Sequence, residues 1–271
     1  MSFSGFRVVS VSFSGFRVAE VDSLGVALAG LLGVEVRYVR ADADSVVTSL
    51  GSVDVESVVR GLPVRRVRSH AGQRHYSGLY WSSTTGAHVG YESRLELDRL
   101  VLADFDFDVE WMAAQPMWLG GCDGSTRRRH VPDLLLRLRG GRYVLVDVKP
   151  AEFAARPEVA AVFAWTGRLC AERGWGYEVW SGAEPVLLGN LRFLAHGRRR
   201  EFLDPAAVSI VRRAVAAGMT VRDVEADAAR AGARGASIRP ALLSVLWAGE
   251  WSVDLRRPLS PESVIGRTGA A

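Results

Sequence analysis

The sequence predicts a mixed α/β domain followed by a smaller, mainly helical domain. Three features carry this. Residues 91–181 read in order as helix, three strands, helix and strand; two glycines, Gly140 and Gly141, join two of the apolar strand candidates; and several capped helical segments follow residue 204. A length of 271 residues with 48% hydrophobic content suffices for two cores, and the expected division is 1–59 as an N-terminal extension, 60–188 as the α/β domain and 189–271 as the C-terminal domain.

Composition narrows the class. Apolar content and charge are ordinary for a soluble globular chain. Cys122 and Cys170 follow no metal spacing and are too few for a disulfide framework, which suits a reducing compartment. The apolar stretch from Leu24 to Val34 is too short to span a bilayer and no secretory signal pattern opens the chain, so the expected location is the cytoplasm, with nucleoid association when active. The net charge of +4 permits nucleic-acid binding. It is gathered in three clusters: Arg65-Arg66 with Arg68, Arg127-Arg128-Arg129 and Arg198-Arg199-Arg200, each of which also reads as a solvated face.

Ser-Phe-Ser-Gly-Phe-Arg-Val occurs at 2–8 and again at 12–18. Two copies cannot form a stacked solenoid, and a small duplication with translation starting at Val11 is the expected origin. Residues 20–60 carry short apolar runs and several carboxylates, with no function legible. From Arg60 to His88 arginine, histidine, glycine and aromatics alternate, including Arg74 and His75. That mix suits a loop touching a polyanion and equally suits an ordinary hairpin edge. Tyr91 to Phe105 has helical spacing, and Glu96 borders its apolar stripe, with Glu92 one turn earlier. A plain Glu96–Arg99 surface pair accounts for the same spacing. Val109–Leu119, Arg129–Leu138 and Arg142–Val148 read as strands, Glu152–Arg173 as a helix stopped at Gly174, and Tyr177–Ser181 as a strand.

The hairpin register places the chemistry. Two turns can join the strands. A two-residue turn pairs Arg139 with Arg142 and puts Asp133 opposite Val148, whereas a three-residue loop Arg139-Gly140-Gly141 pairs Leu138 with Arg142 and sets Asp133 opposite Asp147. The second is preferred because it sorts the leucines and valines to one face and Asp133, Asp147 and Lys149 to the other. Facing carboxylates repel unless a cation lies between them, and Mg²⁺ favours carboxylate oxygen while leaving positions open for water and phosphate. Lys149 is the only lysine among 34 basic residues and ends this strand. An ammonium is a compact charge that guanidinium does not replace, so Lys149 is expected to orient a water or steady an attacked phosphate. The plain alternative is a polar sheet end with a Lys–Asp pair.

After residue 200, Asp204-Pro205 opens a helix with Gly218 as its stop, Thr220-Val-Arg-Asp223 is a capping-box pattern for a second helix ending near Gly232, and Ser237 is the expected cap of a third that runs through Pro240 to Ala248. Trp251–Leu255 reads as a strand leading to Arg256-Arg257. Three helices and a β wing describe a winged helix. Its third helix carries Arg239 as its only basic side chain, which favours protein docking over base reading.

Glu96 on a helix, Pro132-Asp133 and Asp147-x-Lys149 together resemble the PD-(D/E)xK nuclease superfamily, whose restriction-endonuclease-like core is a mixed central sheet flanked by helices. More closely, Leu95-Glu96-Leu97, Gln115-Pro116, Pro132-Asp133 and Val148-Lys149-Pro150 resemble the TnsA family of heteromeric-transposase endonuclease subunits, over roughly residues 60–182. The resemblance implies Glu96, Asp133, Asp147 and the Val148 carbonyl as metal ligands, and Lys149 as the catalytic lysine. Glu92, Gln115 and His130 are accessory candidates, and Arg74, His75, Arg127, Arg128 and Arg129 DNA-contact candidates. Asp147 stands where a well-known relative has glutamine. The implied activity is Mg²⁺-dependent nicking of the 5′ strands at transposon ends, with Mn²⁺ able to substitute. The implied partners are double-stranded DNA, a TnsB-like transposase and a TnsC-like AAA+ ATPase. Two alternatives stay open: a stand-alone restriction, repair or defence nuclease, and a non-catalytic DNA- or protein-binding adaptor on the same fold.

Overall fold

The computed structural model describes residues 31–65 and 76–267. Arg74 and His75, with the duplicated start of the chain, lie outside the described residues. The chain divides into two compact units with the boundary between Gly182 and Ala183, earlier than residue 188. Nor do residues 35–49 stand apart as an extension, because they supply two strands to a sheet of the first unit.

The first unit runs β1 (Glu35–Val39), β2 (Ser45–Ser49), α1 (Val55–Val59), β3 (Gly78–Ser82), β4 (Ala87–Tyr91), α2 (Arg94–Phe105), β5 (Val109–Ala114), β6 (Trp118–Asp123), β7 (Thr126–His130), β8 (Leu134–Leu138), β9 (Arg142–Val148), α3 (Ala151–Ala154), α4 (Pro157–Arg173) and β10 (Gly176–Trp180). It is mixed α/β. One sheet has the order β2-β1-β6-β7, a second has β10-β9-β8-β5, and β3 and β4 form a separate hairpin. In the second sheet β5, β8 and β9 pair antiparallel, and β10 lies parallel to β9.

Two of the expected strands are each split, and both splits fall at proline. Proline has no N–H to give a ladder. The run 109–119 breaks at Gln115-Pro116, where Gln115 adopts a left-handed φ of 46°, and the run 129–138 breaks around Pro132. Each break carries the chain from one sheet to the other. The 152–173 helix is likewise interrupted, with Pro157 opening α4 at its first turn. The 91–105 helix starts at Arg94, since Tyr91 is the last residue of β4.

Leu138 pairs with Arg142 across Arg139-Gly140-Gly141, and both glycines are left-handed, with φ of 75° and 72°. A Cβ at either would strain the loop. The expected division of the hairpin into an apolar and a polar face does not hold. Leu135 and Leu145, on the face of Asp133 and Asp147, are as buried as Leu134, Leu136 and Val146. Both faces are covered. Leu135 and Leu145 join Val36, Tyr38 and Leu119 of the first sheet and Trp165, Leu169 and Cys170 of α4 in one core, while α2 lies against β5 and β9.

The β3–β4 hairpin is tied to α2 through one buried carboxylate. Asp104 accepts hydrogen bonds from the hydroxyls of Tyr80 and Ser82 at 2.8 Å, from Ser83 N–H at 3.0 Å and from Thr84 N–H at 2.8 Å. Asp104→Ala strands those donors, so it is expected to cost about 3 kcal/mol or more and to raise amide exchange selectively in residues 78–91. Uniform exchange across the unit would contradict that anchoring role.

The second unit holds α5 (Pro185–Leu194), α6 (Pro205–Ala214), α7 (Val221–Arg230), α8 (Gly235–Trp247), β11 (Trp251–Val253) and β12 (Ile265–Arg267), the last two paired antiparallel. Asp204 caps α6, with Pro205 at its first turn, and Thr220 and Asp223 form the reciprocal capping box of α7. Ser237 is not the cap of α8, which begins at Gly235 after Arg234. Helix α5 was not expected, although Glu184-Pro185 opens it with the same cap-proline pairing as Asp204-Pro205. Among the described residues no helix is long and apolar enough to cross a membrane.

Candidate active site

The two proline breaks place Gln115 beside Asp133, with Gln115 N–H donating to the Asp133 carbonyl at 2.8 Å. Asp133 N–H donates to the Val146 carbonyl at 3.1 Å, which extends the β8–β9 ladder one step beyond Leu134–Val146 and brings Asp133 level with Asp147. The Asp133 carboxylate accepts Val148 N–H at 2.7 Å. Burial first, against the pull of that N–H, and then the charges of Asp147 and Glu96, opposed by Lys149, together raise its carboxyl to about 7. Asp133 therefore lies within electrostatic reach of Asp147, Glu96 and Lys149 near the C-terminal end of β9.

Glu96 is held by its own helix end. Ser93 caps α2 and accepts Glu96 N–H at 3.1 Å, while the Glu96 carboxylate accepts Glu92 N–H at 2.8 Å and the Ser93 hydroxyl at 2.9 Å. This is a Ser93 side-chain cap with Glu96 reaching back past it to the N–H of Glu92. It shares the Ser-x-x-Glu spacing of the reciprocal capping box but departs from its bonding, and it is absent from the expectations above. Burial raises the Glu96 carboxyl, the two hydrogen bonds lower it, and the neighbouring Glu92 adds to the rise. The plain Glu96–Arg99 pair does not form, because Arg99 turns to Glu178 in a two-pronged pair at 2.8 and 3.2 Å.

Asp147 faces other partners. It is 1% exposed. His130 Nε2 stands 2.8 and 2.9 Å from its two oxygens, and the Tyr177 hydroxyl donates to Oδ2. Burial and then the Asp147 charge push the Tyr177 phenol and the Cys170 thiol upward. Tyr177 was not among the expected residues; β10 brings it in parallel beside β9, and nothing local in the sequence marks it. His130 also meets the Phe163 ring edge-on at 6.1 Å between centroids.

Lys149 is exposed and makes no ion pair with a described residue, so the expected alternative of a Lys–Asp pair is not formed. Gln115 is 4% exposed, and its Oε1 is buried without a hydrogen-bond partner. Of the arginine cluster on β7, Arg128 turns to Asp123 at 3.1 Å, whereas Arg127 and Arg129 are exposed.

The expected three-carboxylate metal cage is not assembled. Among the described residues no group of three or more His, Cys, Asp or Glu side chains gathers closely enough to hold an ion. The reason is visible in the bonding, since Asp147 is drawn to His130 and Tyr177 and Glu96 is engaged in its cap. What remains fits a Mg²⁺-type ion, which takes one or two carboxylates and otherwise water and phosphate. Asp133 is a half-buried carboxylate near two more with a single ammonium, and the Gln115 oxygen is an unused acceptor in the same neighbourhood.

Protein-family models and curated proteins were both compared with this chain, and neither comparison finds a match.

Proposed function

We propose that the first unit is a Mg²⁺-dependent DNA endonuclease with a PD-(D/E)xK core, and that the chain acts as a TnsA-like subunit beside a transposase and an ATPase. The observation that carries it is Asp133, a carboxylate raised to about 7 at a sheet end where it feels the charges of Asp147, Glu96 and the sole lysine. The strand pairing supports the core: α2, then β5, β8 and β9 antiparallel, then α4 and β10 parallel to β9, with the β6–β7 hairpin inserted. Helices α6–α8 with the β11–β12 ribbon support a winged helix. Arg239 is held at 2.6 Å by Glu225, which leaves α8 poorly equipped to read bases and favours a docking role.

Asp133, with Glu96 as a second carboxylate, would hold the ion. When bound, the ion supplies Lewis acidity and a lowered water pKa. Asp133 must be ionised to bind, so proton loss from this residue accompanies loading. Lys149, exposed at the strand end, neutralises charge on a bound phosphate and orients a water toward it. His130 and Tyr177 fix the Asp147 carboxylate beside Asp133, so that its charge adds, without a ligand bond, to the rise in Asp133 that burial causes first.

Nicking of supercoiled plasmid with Mg²⁺ or Mn²⁺, alone and with a partner transposase, tests this reading. Lys149→Ala is expected to abolish nicking and Lys149→Arg to lower it at least a hundredfold, because the fork cannot replace a point charge. An Arg variant as active as the parent removes Lys149 from the chemistry. A second reading, an adaptor without catalysis, is favoured by the engagement of Asp147 with His130 and Tyr177. Plasmid left intact under every metal and partner condition selects it.

A further inference from the structure

The outer face of the first sheet is built as a second charged surface. Strand alternation puts Val36, Tyr38 and Leu119 into the core, so Arg37, Trp118, Gly120, Cys122, Arg127 and Arg129 face away from it. Register brings them together, since Arg37 pairs with Trp118, Gly120 with Arg129 and Cys122 with Arg127. The Trp118 ring lies flat over Gly120, where an added Cβ would meet ring carbons at 2.4 Å. The Arg37 guanidinium sits 5.0 Å and that of Arg129 5.8 Å from the same ring.

We propose that this face binds the sugar–phosphate backbone of duplex DNA, with Arg37, Arg127 and Arg129 as phosphate contacts and Trp118 as the plate that fixes two of them. It rests on the reading of DNA as the substrate and names where that DNA is held outside the Asp133 site. Indole contact restricts both guanidiniums before any ligand arrives, which lowers the ordering cost of each phosphate bond. Guanidinium forks match phosphate oxygens in pairs. With both guanidiniums over the ring, the indole serves as a support and not as a base-stacking platform.

Edge protection is the structural alternative for charge on a strand. It suits Arg127 and Arg129 on β7, an edge strand. It does not explain Arg37, which lies on β1 in the sheet interior. Glu35 is the carboxylate on this face, paired with Arg37 at 2.7 Å, and the pair is exposed on both sides. Such pairs are weak, about 0–1 kcal/mol, so a phosphate displaces the carboxylate readily. Asp42 and Asp44 in the β1–β2 turn bound the face at one end. At that same end but on the opposite lateral edge, β7 runs directly from Arg129 to His130, which is level with Leu119 and Val36 and whose ring faces inward to Asp147. Backbone held along β7 is thus led toward the Asp133 end of the hairpin.

The test uses the full chain and a fluorescein-labelled 30-base-pair duplex, with Kd measured from 50 to 300 mM NaCl. Arg37→Gln with Arg129→Gln is expected to weaken binding about tenfold or more and to reduce the slope of log K against log salt by about two. Arg139→Gln with Arg142→Gln, a charge-matched pair at the far end of the β8–β9 hairpin, should leave both nearly unchanged. Cys122 gives a reading free of substitution: saturating duplex is expected to slow its reaction with a thiol reagent at least fivefold, while Cys170 stays buried. Unchanged affinity and slope in the double variant, with plasmid nicking retained, overturn this surface and leave the nuclease reading standing. A parent protein that does not bind the duplex at 50 mM NaCl overturns both. Tighter binding of an RNA hairpin than of the duplex overturns the assignment to DNA.

Discussion

Asp133→Asn is expected to abolish metal-dependent nicking, at least a thousandfold, and at the same time to stabilise the metal-free protein at alkaline pH. The carboxyl rises from 3.8 to about 7 on folding, so the folded chain holds an extra proton between those values. Stability linked to this group is fully present below pH 3.8 and is lost as pH rises through about 7. Asparagine keeps an acceptor for Val148 N–H and carries no charge to bury. The gain at pH 8 should be on the order of 2–4 kcal/mol, shrinking to nothing near pH 4. Thermal melts of both proteins in EDTA at pH 4, 6 and 8 measure it. Mg²⁺ affinity of the parent should rise with pH up to about 7, as the ion displaces that proton. If the asparagine variant melts no higher than the parent at pH 8, the raised carboxyl is not what the folded state carries. A gain in stability with loss of activity is the pattern of a residue kept for chemistry against the interest of the fold.

Asp147→Ala is expected to do the opposite, costing about 3–5 kcal/mol of folding free energy. It removes the acceptor of the Tyr177 hydroxyl and the partner of His130 Nε2 in a site that is 1% exposed. Tyr177→Phe, which leaves the carboxylate with His130 alone, should cost about 1–3 kcal/mol. Urea denaturation of the three proteins ranks them. Should Asp147→Ala fold as stably as the parent and lose only metal binding, Asp147 is a ligand, as the TnsA resemblance implies, and its bonds to His130 and Tyr177 are incidental. The contrast between neighbours is instructive. Asp133 and Asp147 stand level on paired strands, yet one is short of partners and the other has them in excess.

Much of the second sheet was legible because its signals are local. Gly140-Gly141 with apolar runs on both sides favours the Leu138–Arg142 register, and that register alone brings Asp133 level with Asp147. Asp204-Pro205 and Thr220…Asp223 mark helix starts through caps that act within one turn. The prolines at 116 and 132 were equally visible, but that each would carry the chain into a different sheet was not, since a missing N–H ends a strand without saying where the next one pairs. The Ser-x-x-Glu spacing of Ser93…Glu96 was readable as a helix start, and reading it would have given Glu96 a structural occupation beside its chemical one.

The sequence by itself determined the α/β order and the single ammonium at the end of the hairpin, and narrowed the hairpin to two registers, because turn chemistry, alternation and residue identity operate over a few positions. Only the tertiary structure decided the bonding of Asp147, the raised carboxyl of Asp133 and the Arg37–Trp118–Arg129 face. Each depends on strands distant in the chain: β10 delivers Tyr177, β7 delivers His130 and Arg129, and β1 delivers Arg37. Hydrogen bonding and desolvation act through space, and no periodicity within one segment encodes which other segment will lie beside it.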